Sequence, residues 1–210
     1  MKLSEEEKYN TWSHAVGIPL GFVAAVLLLS SGRNTTISAI MAVGIYSLSL
    51  VAMFVISTCY HAVAKKKLKT LFRKLDHISI YLLIAGTYTP VLVIAFPNDS
   101  GLLLLYLIWG IALFGCLMKV FFFERFDKVS LLLYLIMGWL IVLELSTLQE
   151  NTTPLGRTFL IGGGVSYTIG AVFYALERIR LNHFIWHLFV LAGSIFHFLF
   201  IFFDVVENQS

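Results

Sequence analysis

The chain has 210 residues, 59% of them hydrophobic and 13% charged, with a formal net charge of +3 and a mean hydropathy of +0.86. Soluble domains carry about 25% charged residues, and no polar stretch here is long enough to fold by itself. The composition therefore excludes a soluble enzyme and a nucleic-acid-binding domain, and it places the chain in a membrane.

A membrane-spanning helix needs about 20 predominantly apolar residues. Seven runs meet that length, at about 12–31, 37–60, 77–96, 102–123, 129–149, 156–176 and 183–203. The expected fold is an all-α membrane protein, a single seven-transmembrane helix bundle over residues 1–210. The segment before the first run contains Glu5, Glu6 and Glu7. It lacks the basic region and cleavage site of a signal peptide, so the first run reads as a retained helix. His14, at its start, reads as an interfacial residue. The second run ends Ser57-Thr-Cys-Tyr-His61. The basic stretch 62–75 reads as a loop and as the strongest topogenic signal, with binding of anionic head groups as the alternative.

The third run opens at Asp76-His77 and leads to Gly86-Thr-Tyr-Thr-Pro90. Pro90 is expected to kink it, with the nearby threonines satisfying the freed carbonyls. Lys119, close to the end of the fourth run, is placed to snorkel. Glu144, inside the fifth, reads as water-accessible or paired. Cys59 and Cys116 both lie in apolar runs, which argues for free buried thiols over a disulfide. The seventh run begins His183-Phe-Ile-Trp-His187 and continues through Gly193 to His197.

Lysine and arginine placement sets orientation. One side of the bundle collects Lys2, Lys8, Lys65, Lys66, Lys67, Lys69, Arg73, Lys74, Lys119, Arg125, Lys128, Arg178 and Arg180; the other holds only Arg33 and Arg157. That split of 13 to 2 puts the N-terminus in the cytoplasm and the C-terminus outside. The sequons at Asn34, Asn98 and Asn151 then lie on the outer side.

With this topology the polar residues converge. The second run ends, and the third and seventh begin, at the same cytoplasmic face, so His61, Asp76 and His183 share one level. Ser57 and His187 lie one turn deeper, about 6 Å at 1.5 Å per residue. Histidine inside a membrane span is a functional signal by default. Three neutral imidazoles suit Zn²⁺ with a fourth position open for water. A carboxylate beside that position can accept a proton, and a serine hydroxyl can hold a carbonyl.

The blocks Ser57 to His61, Leu75-Asp76-His77, Ala85 to Pro90, and His183 to His187 with Gly193 and His197 together resemble the progestin and adipoQ receptor superfamily, in its hemolysin III branch. The resemblance covers all seven runs. It implies zinc held by His61, His183 and His187, with Asp76 beside the metal's water position and Ser57 close by. His14, His77 and His197 do not carry over as ligands. They read as interfacial, as lying behind the ligands, and as a helix-packing residue, respectively.

Three functions follow as expectations. The first is a zinc-dependent hydrolase of a lipid amide or ester, because the natural solute at this depth is an amphiphile. The second is a sensor or regulator of membrane state in which Asp76 completes a structural zinc site. The third is a cytolytic pore, against which the helices carry no polar stripe. Membrane lipids are the expected partners, and the cell membrane is the expected location.

Overall fold

The computed structural model of the chain describes residues 3–31, 36–123, 125–176 and 178–207. Lys2, Arg33 and the Asn34 sequon lie outside these residues. All regular structure among the described residues is helical, and seven helical segments are long and apolar enough to cross a membrane. The first is α1 (Glu5–Ala15) running on into α2 (Gly17–Ser30), and the second is α3 (Ile37–Ala62). The third is α4 (Lys66–Pro90) with a π-helical end at Val91–Ala95, and the fourth is α5 (Asp99–Phe121). The fifth joins α6 (Asp127–Trp139), a 3₁₀ stretch at Leu140–Glu144 and α7 (Leu145–Asn151). The sixth is α8 (Pro154–Ala175), and the seventh is α9 (Asn182–Phe200) with a π-helical end at Ile201–Val206.

The breaks between spans act as helix starts. Thr36 caps α3 through Ala39 N, Asn98 caps α5 through Gly101 N, and Thr153 caps α8 through Gly156 N, at 3.1, 2.7 and 3.0 Å. Pro154 follows at the first helical position, where its missing N–H costs nothing. Asp204 accepts from the Thr153 hydroxyl at 2.6 Å, which ties the end of the seventh span to the start of the sixth.

Three local expectations are corrected. The basic stretch 62–75 is mostly helix: α4 begins at Lys66, and Asp76 and His77 sit in its third turn. The reason is a helical period hidden under the charge. Leu68, Leu71, Phe72 and Leu75 recur at i, i+3, i+4 and i+7, between lysines and an arginine that favour helix. At Pro90 the α-helix gives way to π-helix, closed by Phe96 N donating to Val91 O at 3.1 Å. Thr87 and Thr89 donate to the carbonyls of Leu83 and Ala85, not to that of Gly86, the one Pro90 leaves open. Lys119 does not snorkel; it is fully buried, and its Nζ donates to Asp127 Oδ1 at 2.5 Å. Asp127 also faces Arg73 at 3.6 Å and His77 at 3.9 Å.

The 3₁₀ stretch interrupts the backbone ladder of the fifth span, and Tyr88 bridges the gap. Its hydroxyl donates to Gly138 O at 3.2 Å and accepts from Ile141 N at 2.8 Å. Glu144 is buried and accepts from the Thr147 hydroxyl at 2.8 Å. The third span is the most enclosed of the seven, and the sixth the least. The core gathers Tyr46, Phe54, Tyr81, Phe96 and Phe200, while Leu48, Leu103 and Leu143 face outward. Helices α8 and α9 meet through glycines, as small residues allow in membranes. Gly163 lies under the His197 ring, Gly170 under Trp186 and Phe189, and Gly193 under Tyr167.

Candidate metal centre

The last turn of α3 and the first turns of α9 bring three imidazoles together. One ligand atom from each of His61, His183 and His187 lies within 4.8 Å of the other two. The ring centroids of His61 are 5.0 Å from His183 and 4.9 Å from His187, and those of the α9 pair are 4.7 Å apart, all edge to face. The α9 pair shares a face because four residues separate its members. Entry into α9 is set by Leu181, whose φ of 60° lies in the left-handed region. A branched side chain pays about 1–2 kcal/mol there, strain of the kind that gathers at functional sites.

His61 and His187 are almost completely buried. Nε2 of His61 and Nε2 of His183 have no hydrogen-bond partner among the described residues. Buried polar atoms are normally satisfied, and a metal ion is what a cluster of neutral imidazoles accepts. The residues present therefore fit a metal.

Asp76 and Ser57 lie where the sequence places them, beside His61. Ser57 is 1% exposed and adjoins the Asp76 carboxyl, and its hydroxyl makes no full hydrogen bond. Asp76 is outside the three-ligand group. It lines a polar cavity of about 200 Å³ together with His183, Tyr60, Arg73, Tyr174 and His77. His77 sits on the same cavity wall near Asp127, and its backbone carbonyl accepts from Tyr134 at 2.7 Å. His197 packs between helices, with Tyr167 at 5.4 Å between ring centroids and Gly163 beneath it.

The N-terminal helix is the part that the sequence reading missed. Glu7 Oε2 lies 2.7 Å from His61 Nδ1, and Lys69 Nζ donates to Glu7 Oε1 at 2.6 Å. His187 Nδ1 lies 2.9 Å from Ser13 Oγ and 3.2 Å from Asn10 O. His14 is a core residue, 3% exposed, not an interfacial one. Its ring stacks on His187 with centroids 3.7 Å apart and 18° between planes, and its edge meets Phe54. The signal was present. Glu7, Asn10, Ser13 and His14 are spaced 3, 3 and 1, which places all four along one side of a helix.

The family described as Haemolysin-III related matches residues 3–198. "Hemolysin-3" of Bacillus cereus is 42% identical over 207 residues, covering 98% of this chain and 94% of its own length. "Hemolysin-3 homolog" of Bacillus subtilis (strain 168) is 37% identical over 191 residues, covering 90% of each. "Monocyte to macrophage differentiation factor" of Homo sapiens is 32% identical over 201 residues, covering 92% of this chain and 82% of its own. Matches of this extent, over a seven-span bundle with His61, His183 and His187 gathered at one end, make the chain a member of the hemolysin III branch of the progestin and adipoQ receptor superfamily.

Proposed function

We propose that the protein is a zinc-dependent hydrolase of a lipid amide or ester. The observation that carries this reading is the position of Asp76. It lies outside the three-imidazole ligand group, on the wall of the polar cavity that also contains His183. Three protein ligands with a carboxylate nearby is the pattern of a catalytic site, whereas closed structural sites take four. Held by His61, His183 and His187, zinc supplies Lewis-acid activation of water and of a carbonyl.

The chain's own groups have separate tasks. The Asp76 carboxylate accepts the proton of an attacking water. The Ser57 hydroxyl, adjoining that carboxylate and without a full hydrogen bond of its own, donates to the substrate carbonyl oxygen. Tyr60 and Tyr174 line the polar end of the cavity. A second, apolar cavity of about 90 Å³ shares Ile80, Leu131, Tyr134 and Trp186 as walls with the polar one. It gives room for a hydrocarbon chain beside the reacting groups, which supports a lipid substrate.

The Asp76→Asn variant tests the reading. Asparagine still hydrogen-bonds but accepts no proton, so lipid-hydrolysing activity is expected to fall by about 10²–10⁴ while zinc content stays at the wild-type value. Lipid profiles of cells expressing wild type and Asp76→Asn, with elemental analysis of both proteins, read the two quantities. Loss of zinc and of thermal stability together would make Asp76 a fourth ligand and the metal structural. Full activity with full zinc would end the role of Asp76 as the base, and lipid profiles that do not change when the wild-type protein is expressed would end the hydrolytic reading.

A further inference from the structure

We propose that α1 is a working part of the metal centre and that Glu7 is the positioning residue that sets its metal affinity. The inference rests on the metal reading of the three imidazoles above.

Each ligand histidine that α1 touches is held at Nδ1 by groups that demand a proton there. An ionised carboxylate only accepts, so Glu7 receives the Nδ1–H of His61 and leaves the Nε2 lone pair for the metal. The same logic holds at His187. Ser13 donates its own hydroxyl to Asn10 O at 2.8 Å, so its oxygen presents lone pairs to Nδ1, and the Asn10 carbonyl can only accept. Both acceptors require His187 to carry its proton on Nδ1, which again leaves the Nε2 lone pair for the metal. The His14 ring lies flat on the His187 ring and fixes its plane.

Glu7 is itself fixed. Lys69, from the first turns of α4, donates to its other oxygen and lies 4.8 Å above the Tyr60 ring, on the cavity wall. One carboxylate therefore joins α1 to α3 and α4 directly, and Ser13, Asn10 and His14 join α1 to α9. Partners behind metal-ligating histidines orient the rings, and their loss typically costs 10–100-fold in metal affinity. By linkage, whatever holds α1 against the ligands strengthens metal binding, and bound metal holds α1 in place.

The test uses the full chain purified in detergent, with zinc affinity measured by competition against a chromophoric chelator. Glu7→Ala is expected to weaken zinc about 10–100-fold. Glu7→Gln, whose amide oxygen still accepts from Nδ1–H, is expected to recover most of that loss, and Lys69→Ala to lose less than Glu7→Ala. Hydrogen exchange of residues 5–14 is expected to be slower with zinc than after chelation. The His183→Ala, His187→Ala double variant serves as the reference for an abolished site. Wild-type affinity in Glu7→Ala, with the double variant unable to bind, would overturn the role of Glu7 and leave the metal site standing. If Glu7→Ala does not remain monodisperse, Lys69→Ala with wild-type affinity and exchange of α1 that ignores zinc would overturn it equally. Wild-type protein that takes no zinc would remove the metal reading and this inference together.

Discussion

Lys119 and Asp127 show how much one pair decides in an apolar surrounding. The lysine side chain is 1% exposed and the aspartate 33% exposed, with Arg73 and His77 facing the same carboxylate. Asp127→Ala leaves an ammonium buried without its counter-charge, and the expected loss is about 3 kcal/mol, the low end for a broken buried pair, because Asp127 is itself partly solvated. Lys119→Met removes the buried charge and leaves Asp127 its other neighbours, so it is expected to cost far less. Thermal unfolding of both variants in detergent compares them, and equal losses would contradict the argument. Legibility at this scale follows the price of burial. His61, His183 and His187 stand out in the sequence because histidine in an apolar run demands an explanation. Glu7 and Asn10 precede the apolar run and Ser13 stands at its edge, where polar residues are ordinary, and their partners lie up to 177 residues away, beyond any local pattern. Lys119 reads as a snorkelling residue because its counter-ion, Asp127, lies across a turn that the sequence assigns to solvent.

Among the elements, α8 and α9 depend on the absence of side chains. A methyl at Gly193 would sit 2.8 Å from Tyr167 Cε2, and one at Gly163 would overlap the His197 ring. Gly163→Ala is expected to destabilise by about 1–3 kcal/mol, as overpacking does. Gly110→Ala, whose added methyl meets nothing within 4 Å, is expected to be neutral. Thermal stability of the two variants in parallel reads the difference, and a neutral Gly163→Ala would mean that α8 and α9 separate freely. The seven spans were legible because length and apolarity suffice to identify them. The start of α4 was not, because six lysines and arginines between 65 and 74 outweighed its apolar period. The π-helical ends and the 3₁₀ stretch were not either. Such breaks are settled by tertiary partners, here the Tyr88 hydroxyl, which no window of sequence contains.

For the molecule as a whole, the two ends are chemically distinct. One carries His61, His183 and His187 with Glu7, Lys69 and the Lys119–Asp127 pair; the other is closed by Asp204 on Thr153 and by Ser31 donating to Glu207 at 2.7 Å. From the charge asymmetry of 13 to 2 the histidine end is expected to face the cytoplasm. A reporter active only in the cytoplasm is expected to be silent when fused after Ser210 and active when fused before Met1. The reverse pattern would invert the bundle and place the site outside.

The reach of α1 onto α3 and α9 also has a meaning for biosynthesis. During synthesis the chain emerges in order, and Ser13 and its partner His187 are 174 residues apart. A nascent chain that has threaded its first six spans owns one imidazole of the three, His61, and the helix that is to steady both it and His187. It can hold the ion only once α9 has entered and met α1. Occupancy of the site would thus certify that insertion is complete, and a cell that clears metal-free chains would be clearing unfinished ones.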